Sequence, residues 1–147
     1  MEEATDIAQT IISKAKIDGG SPVAVAVVDA AGRLKSFVAM DNVMPASIKL
    51  AQNKAYSAVL GQRDTINWAL FPKNEKSVDF DMRNWTDENF SGFTGGVVIQ
   101  SEGKVIGGIG VSGRKGIMDT SDALLQDNEL AAFGKNFIQE TIHQHGI

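Results

Sequence analysis

The chain has 147 residues, no cysteine and a formal net charge of −4 at pH 7. A composition of 43% hydrophobic and 22% charged residues predicts one globular domain over residues 1–147. The lack of cysteine excludes disulfides, thiolate metal sites and cysteine nucleophiles. The absence of a long basic run argues against a nucleic-acid surface, and the acidic start MEEATD predicts a cytoplasmic protein without a membrane partner.

Hydrophobic spacing and turn residues predict elements in the order helix, hairpin, helices, hairpin, helix. Their predicted bounds are, in chain order, a helix from Ala4 that stops at Gly19–Gly20, a hairpin turning at Asp29–Gly32, helices from Pro45 to about Leu60 and from Asp64 to Leu70, a hairpin turning at Ser101–Gly103, and a helix from Leu124 to about His143.

The stretch GIGVSG, residues 108–113, has the letter pattern of a dinucleotide-binding loop. Such a loop joins a strand to a helix inside a βαβ unit, whereas this stretch lies within the second strand of a hairpin. Strand alternation predicts that the even positions from Ile106 to Ser112 form a face almost without side chains, opposite the odd positions from Val105 to Val111. A face of this kind indicates the close approach of a helix, another subunit or a ligand.

Lys54 is the candidate catalytic and ligand-binding residue of the second helix. Its position falls beside the apolar stripe, one to two turns from Ser47, so both side chains can face one crevice. A lysine there can hold a carboxylate or phosphate, or lose its proton when it is desolvated. The alternative is a flank lysine whose ammonium reaches solvent. If Lys54 holds the ligand, Lys54→Met should abolish ligand binding or turnover and change the thermal stability little, because a flank lysine contributes mainly charge to the site.

The polar connection formed by residues 71–94 is long for a compact domain, and loops of this length are commonly lids or binding segments. Its aromatic rings and cations, including Arg83 and Trp85, predict an apolar pocket with a cationic rim. The alternative is that the rings cover the core or join subunits. Gly95 and Gly96, where the connection rejoins the sheet, would let the backbone approach a ligand.

The predicted ligand site is completed by Gly110 and Ser112 at the end of the glycine face, and by Asp41. Asp41 is interpreted either as a helix cap or turn residue, or as a ligand-binding carboxylate. No metal site is predicted, because His143 and His145, the only two histidines, point apart when they are two positions apart on a helix.

Four blocks of the sequence resemble the GlcG/HbpS-like family of haem-degrading-domain proteins, which includes the C-terminal domain of PduO-type proteins. The blocks are VAVAVVDAAGRLKSFVAMD, ASIKLAQNKAYSAV, GGVVIQSEGKVIGGIGVSG and QDNELA. The resemblance implies an α+β, profilin-like fold in which an antiparallel sheet built from two hairpins is flanked by N-terminal, central and C-terminal helices. It also implies a homo-oligomer, at least a dimer, and a lysine that recurs at the KAY position.

The resemblance implies haem or another small molecule as the ligand of some members. Haem-binding members often use a histidine in the body of the domain, which this chain lacks, so its cofactor is unknown and haem is a candidate. We expect an accessory protein that holds haem or another flat or anionic ligand at a pocket between subunits. The alternatives are an isomerase or lyase that uses Lys54 for proton transfer on a small organic acid, and a structural module.

Overall fold

A computed structural model describes residues 2–69, 87–114 and 121–145 of the chain. The strands form one antiparallel sheet in the order β2-β1-β4-β3. The elements are, in chain order, α1 (Ala4–Asp18), β1 (Ala24–Asp29), β2 (Leu34–Ala39), α2 (Pro45–Gly61), α3 (Ile66–Ala69), β3 (Gly96–Ser101), β4 (Lys104–Ser112) and α4 (Ser121–His145). The predicted α+β architecture of two hairpins flanked by N-terminal, central and C-terminal helices is confirmed.

Local sequence signals explain where the helices begin and end. α1 ends because Gly19 adopts a left-handed conformation with φ of 72° and its N–H binds the Ala15 carbonyl. Pro45 opens α2, where its missing N–H costs no helical hydrogen bond. α4 begins at Ser121, earlier than the predicted Leu124, and serine and aspartate are typical residues of a helix start.

The helices cover both faces of the sheet. α1 and α4 pack on one face, against β-branched side chains of the strands; the buried members of this cluster include Ile7, Ile11, Val25, Val27, Ile109, Val111, Leu130 and Ile138. α2 packs on the opposite face, in a cluster of mostly smaller residues that comprises Ala24, Ala26, Val28, Ala51, Ala55 and Val59. The alternation of valine and alanine in β1 therefore reflects the different helices on the two faces.

A β-bulge interrupts the alternation of β4. Gly107 pairs with Ile99 and Val105 with Gln100, so Ile106 is an extra residue in the strand. Ile106 packs towards the α1–α4 cluster and Val105 towards the α2 cluster. The predicted assignment of these two residues to faces is wrong, because one inserted residue reverses the alternation.

The glycines of β3 and β4 let α2 lie directly on the sheet. A Cβ added to Gly108 would stand 2.8 Å from the Ala55 carbonyl oxygen, and one added to Gly110 would stand 2.6 Å from the Ala55 nitrogen. A Cβ on Gly96 would stand 2.9 Å from the carbonyl carbon of Lys54. The glycine face is therefore occupied by helix backbone, as the close-helix interpretation predicts.

Candidate functional site

Lys54 lies on the buried side of α2, with 3% of its surface exposed. Its ammonium donates to the Val111 carbonyl oxygen at 2.9 Å and to Asp127 Oδ2 at 3.2 Å. Its stem passes Gly95, where an added Cβ would stand 3.1 Å from Lys54 Cδ. The alternative of a lysine that reaches solvent is wrong, because the side chain has room to run inward past Gly95 to a carboxylate.

Asp127, with 7% of its surface exposed, accepts hydrogen bonds at the end of the sheet. Its Oδ2 accepts from Lys54, and its Oδ1 accepts from the backbone N–H of Arg114 at 3.0 Å. Lys54 belongs to α2 and Asp127 to α4, which cover opposite faces of the sheet. The ion pair therefore ties the two helical layers together where β3 starts and β4 ends.

Burial shifts both members of this pair towards their neutral forms. Desolvation lowers the pKa of Lys54 from 10.5, and the charge and hydrogen bond of Asp127 partly offset that effect. Desolvation likewise raises the pKa of Asp127 from 3.8, against the opposing effects of Lys54 and of the backbone N–H groups of Arg114 and Gly113. Two groups shifted in this way can exchange a proton with each other or with a bound molecule.

The structure places the other predicted residues at different depths. Ser47 and Ser112 are buried, at the first turn of α2 and at the end of β4. Asp41 is exposed in the turn before α2 and makes no hydrogen bond or ion pair with the described residues. The helix-cap interpretation of Asp41 is wrong, because the residue at the N-cap is Met44.

The glycine candidates occupy two positions around this pair. Gly95 lies beside the stem of Lys54, with φ of 120°, whereas Gly96 and Gly110 lie beneath the backbone of α2. Arg83 and Trp85 lie outside the described residues.

Two residues of the site were missed in the sequence. Asp127 belongs to the QDNELA block, which marked the family resemblance but carried no assigned role, and Arg114 follows the glycine face. A desolvated lysine requires an acidic partner, but the chain has 18 acidic residues and Asp127 lies 73 positions from Lys54. No local spacing selects the right one.

The Arg114 side chain closes the end of α1. Its Nη1 donates to the Ser21 carbonyl oxygen at 2.7 Å and its Nη2 to the Ala15 carbonyl oxygen at 2.8 Å. Arg114 is 8% exposed. A Cβ on Gly20 would stand 2.8 Å from Arg114 Cζ, so the glycine leaves the space that the guanidinium occupies. The arginine thus binds the carbonyl end of α1, where positive charge is favourable.

A cavity of about 480 Å³ opens between α1 and α4 beside this arginine. Its lining residues are Lys14, Asp18, Gly20, Arg114, Gln126, Glu129, Leu130 and Phe133. A neighbouring hollow of about 420 Å³ shares Lys14 and Phe133 and also contacts Ile17 and Phe137. The Lys14 ammonium lies 5.7 Å from the centre of the Phe133 ring and 2.9 Å from Asp18 Oδ1. The α1–α4 face therefore combines apolar rings with charges of both signs.

A second polar cluster joins α2 to residues 87–91. The Tyr56 hydroxyl donates to Asp87 Oδ2, and the Ser91 N–H donates to Ser57 Oγ at 2.7 Å. The Tyr56 hydrogen bond and the Asn89 N–H lower the pKa of Asp87, and the same Tyr56–Asp87 bond raises the pKa of Tyr56. These bonds fasten the segment to α2.

Within the ranges 2–69, 87–114 and 121–145, no group of three or more His, Cys, Asp or Glu side chains is arranged to hold a metal ion. None of the helices in the same ranges has the length and apolar character needed to span a bilayer.

Solved structures share this architecture over most of the chain. A complex described as PduOC with haem superposes with a TM-score of 0.77 at 22% identity, covering 92% of this chain and 91% of that one. Protein ORFY of Klebsiella pneumoniae gives 0.75 at 23% identity, covering 92% and 88%. A double mutant of HbpS from Streptomyces reticuli gives 0.72 at 26% identity, covering 92% and 84%.

Sequence comparison points to the same group of proteins. Protein GlcG of Escherichia coli is 32% identical over 90 residues, which is 61% of this chain, and the matched region spans 63% of the relative's length. The family model described as haem degrading protein HbpS-like matches residues 1–124. The chain therefore belongs to the HbpS-like family.

Proposed function

We propose that this chain is an accessory protein that binds a flat or anionic small molecule, with haem as one candidate. The family is described as haem-degrading and one structure of similar fold is a haem complex, and both facts support this proposal. Cysteine thiolates cannot ligate iron here, because the chain has none.

The observation that carries the proposal is the cavity between α1 and α4 together with its neighbouring hollow. Both touch the ring of Phe133, which is 40% exposed, and the hollow also touches Phe137, which is 37% exposed. Volumes of about 480 and 420 Å³ lie within the usual range for small-molecule sites. Exposed rings beside Lys14 suit a flat molecule that carries negative charge.

Haem is tested by titration with hemin while the Soret band is recorded. The chain's histidines are His143 and His145, both in the last turn of α4, so the body of the domain offers haem no imidazole. We expect weak binding that is unchanged in a variant with both histidines replaced by alanine. Tight binding that disappears in that variant would contradict this part of the proposal.

The ligand site predicted around Lys54 stays a proposal. An anionic ligand there would have to take the place of Asp127, because the Lys54 ammonium is already paired. Binding of hemin is therefore compared between the unmodified chain and the Lys54→Met, Asp127→Leu double variant, which removes both charges together. Unchanged binding in a folded double variant would exclude Lys54 and its neighbours as the site.

Proton transfer on a small organic acid is the second candidate function, and the shifted pKa values of Lys54 and Asp127 favour it. In this reaction an unprotonated Lys54 amine takes a proton from a carbon next to a carbonyl, and returns it to a neighbouring atom. The test is NMR in deuterated water of hydrogen exchange in pyruvate and 2-oxobutyrate. If the protein is an enzyme of this kind, hydrogen exchange in these acids is faster with the protein than in buffer alone. The double variant should abolish this acceleration.

We also propose that the protein is a homo-oligomer, at least a dimer, and that it is cytoplasmic. Exposed apolar side chains outside the α1–α4 face support association; they are Leu34, Met44, Ile48, Leu60 and Phe93. Light scattering at tens of micromolar tests the first point. A particle of 15.7 kDa, the mass of one chain, would contradict it.

A further inference from the structure

Arg114 carries a buried charge that forms no ion pair with a carboxylate of the described residues. A guanidinium has five N–H donors, and two of them bind the carbonyls of Ala15 and Ser21. The other three N–H donors have no acceptor among the described residues. The end of the α1 dipole offsets part of the charge, but no described carboxylate forms an ion pair with the guanidinium.

The surroundings of Arg114 show where a counter-charge can come from. Arg114 is buried to more than nine-tenths and lines the cavity between α1 and α4. Two nearby carboxylates bind other groups. Asp127 accepts hydrogen bonds from Lys54 and from the backbone N–H of Arg114, and Asp18 forms an ion pair with Lys14. Arg114 lines this cavity, and a guanidinium offers the planar set of donors that a carboxylate accepts.

The walls of the cavity define the rest of the ligand. Leu130 and Phe133 supply an apolar side, whereas Gln126, Glu129 and Asp18 supply polar groups. The two acids in the wall disfavour a ligand with several negative charges. The walls suit a molecule with one carboxylate and an apolar or aromatic body.

We infer that Arg114 is the carboxylate-binding residue of a site for small aromatic or aliphatic monocarboxylic acids in the cavity between α1 and α4. This inference rests on the proposed small-molecule binding and names the chemical class and the recognition group. The acid places its carboxylate on the free donors of Arg114 and its apolar body on Phe133 and Leu130. The hydrogen bonds of Arg114 to Ala15 and Ser21 hold the guanidinium in place for it.

The first test uses two probes of the same shape and different charge. Isothermal titration compares 3-phenylpropionate with 3-phenylpropionamide, which keeps the ring and loses the negative charge. Because a hydrogen bond to a charged group contributes more than a neutral one, we expect the acid to bind at least about tenfold more tightly. Equal affinity, or no binding of either probe at millimolar concentration, would overturn the inference.

Two variants locate the effect at Arg114. Arg114→Gln removes the charge, and Gly20→Ala keeps the charge but moves the guanidinium, since the added methyl would occupy its space. We expect each to weaken binding of the acid about tenfold and to leave the amide unchanged. Gly20→Ala also covers the case in which Arg114→Gln fails to fold, because only the flexible end of a side chain has to shift. Acid binding that persists in folded Gly20→Ala would contradict the assignment.

Two phenylalanines of α4 provide a matched control. Phe133 and Phe137 are exposed to similar degrees, 40% and 37%, but only Phe133 lines the cavity. Phe133→Ala should weaken binding of the acid and of the amide to the same extent, and Phe137→Ala should weaken binding of neither. Binding of hemin together with equal affinities for acid and amide would remove the Arg114 site and leave the proposed function standing. If neither hemin nor either probe binds, both the Arg114 site and the proposed function are contradicted.

Discussion

The two faces of the sheet are packed in different ways. On the α2 face the strands present glycine and alanine, so the helix backbone itself touches the sheet at Gly108 and Gly110. On the opposite face, α1 and α4 pack through isoleucine, valine and leucine side chains. The backbone of α2 lies directly on the glycines of the sheet, whereas α1 and α4, side by side, leave a cavity between them.

This difference also sets how each face responds to substitution. A backbone atom held in a helix and a sheet can move only if the whole element moves. The end of an isoleucine or leucine side chain can turn to another rotamer at lower cost. We therefore expect the α2 face to be intolerant of added atoms and the α1–α4 face to adjust.

The Lys54–Asp127 pair joins the two faces, and breaking it is expected to have the largest effect. Lys54→Met leaves the buried carboxylate of Asp127 without its cation, so we expect unfolding free energy to fall by about 3 to 5 kcal/mol at pH 7. Urea denaturation measures this loss. This expected loss differs from the expectation drawn from the sequence, that a lysine on the helix flank contributes little to stability, because Lys54 is buried and paired with Asp127.

The pH dependence of Lys54→Met identifies the cause. Without Lys54, burial still raises the pKa of Asp127 above 3.8, and the lowering effect of the ammonium is gone. A group with a raised folded-state pKa contributes stability below its unfolded pKa and loses it as pH rises through the folded pKa. The deficit of the variant should therefore shrink as the pH falls towards 3.8. A deficit that does not change with pH would indicate lost packing.

The double variant Lys54→Met, Asp127→Leu is the control for this pair. It removes both charges, and we expect it to recover most of the stability that Lys54→Met loses. A double variant as unstable as the single one would show that packing of the stem past Gly95 matters more than the charge.

Elements whose signals lie among residues close together in the sequence were predictable. The spacing of Ile7, Ile11 and Ala15 predicts α1, and Pro45 marks the start of α2, because the signals lie within the elements themselves. The bulge at Ile106 was not predictable, since it exists only in the pairing of β4 with β3. The site was not predictable for the same reason. Asp127 binds Lys54, and Arg114 binds Ala15, through contacts between residues far apart in the sequence.

Gly110→Ala tests the packing of the α2 face. The added methyl would overlap the Ala51 carbonyl oxygen and stand 2.6 Å from the Ala55 nitrogen, so α2 must move away from the sheet. Overpacking of this kind costs up to about 3 kcal/mol, which we expect to observe in thermal or urea unfolding. Unchanged stability would mean that α2 is held less closely than its backbone contacts indicate.

Gly134→Ala makes the matching change on the opposite face. A Cβ at Gly134 of α4 would stand 2.7 Å from Ile11 Cγ1 and nearer still to Ile11 Cδ1, the far end of a side chain and not a backbone atom. Alanine also favours the helix over glycine by about 1 kcal/mol, which offsets the crowding. We expect a net change within about 1 kcal/mol by the same unfolding measurement. A loss as large as that of Gly110→Ala would remove the contrast between the faces.

The smallest expected effect lies at the rim of the α2 face, where Tyr56 binds Asp87. The Tyr56 hydroxyl is the largest cause of the lowered pKa of Asp87, with the Asn89 N–H second. Tyr56→Phe keeps the ring beside Gly32 and removes the hydroxyl, so the Asp87 pKa should rise towards 3.8 without loss of the fold. A lowered folded-state pKa gives stability that is fully present above the unfolded value of 3.8 and is lost as pH falls through the folded-state pKa. The variant should therefore be less stable than the parent above 3.8 and converge with it in acid. A carboxyl-detected NMR titration measures the pKa of Asp87 directly, and the hydrogen bond from the Asn89 N–H to Asp87 is the same in the parent and the variant. An Asp87 pKa that does not change in Tyr56→Phe would contradict the hydrogen bond from the Tyr56 hydroxyl to Asp87.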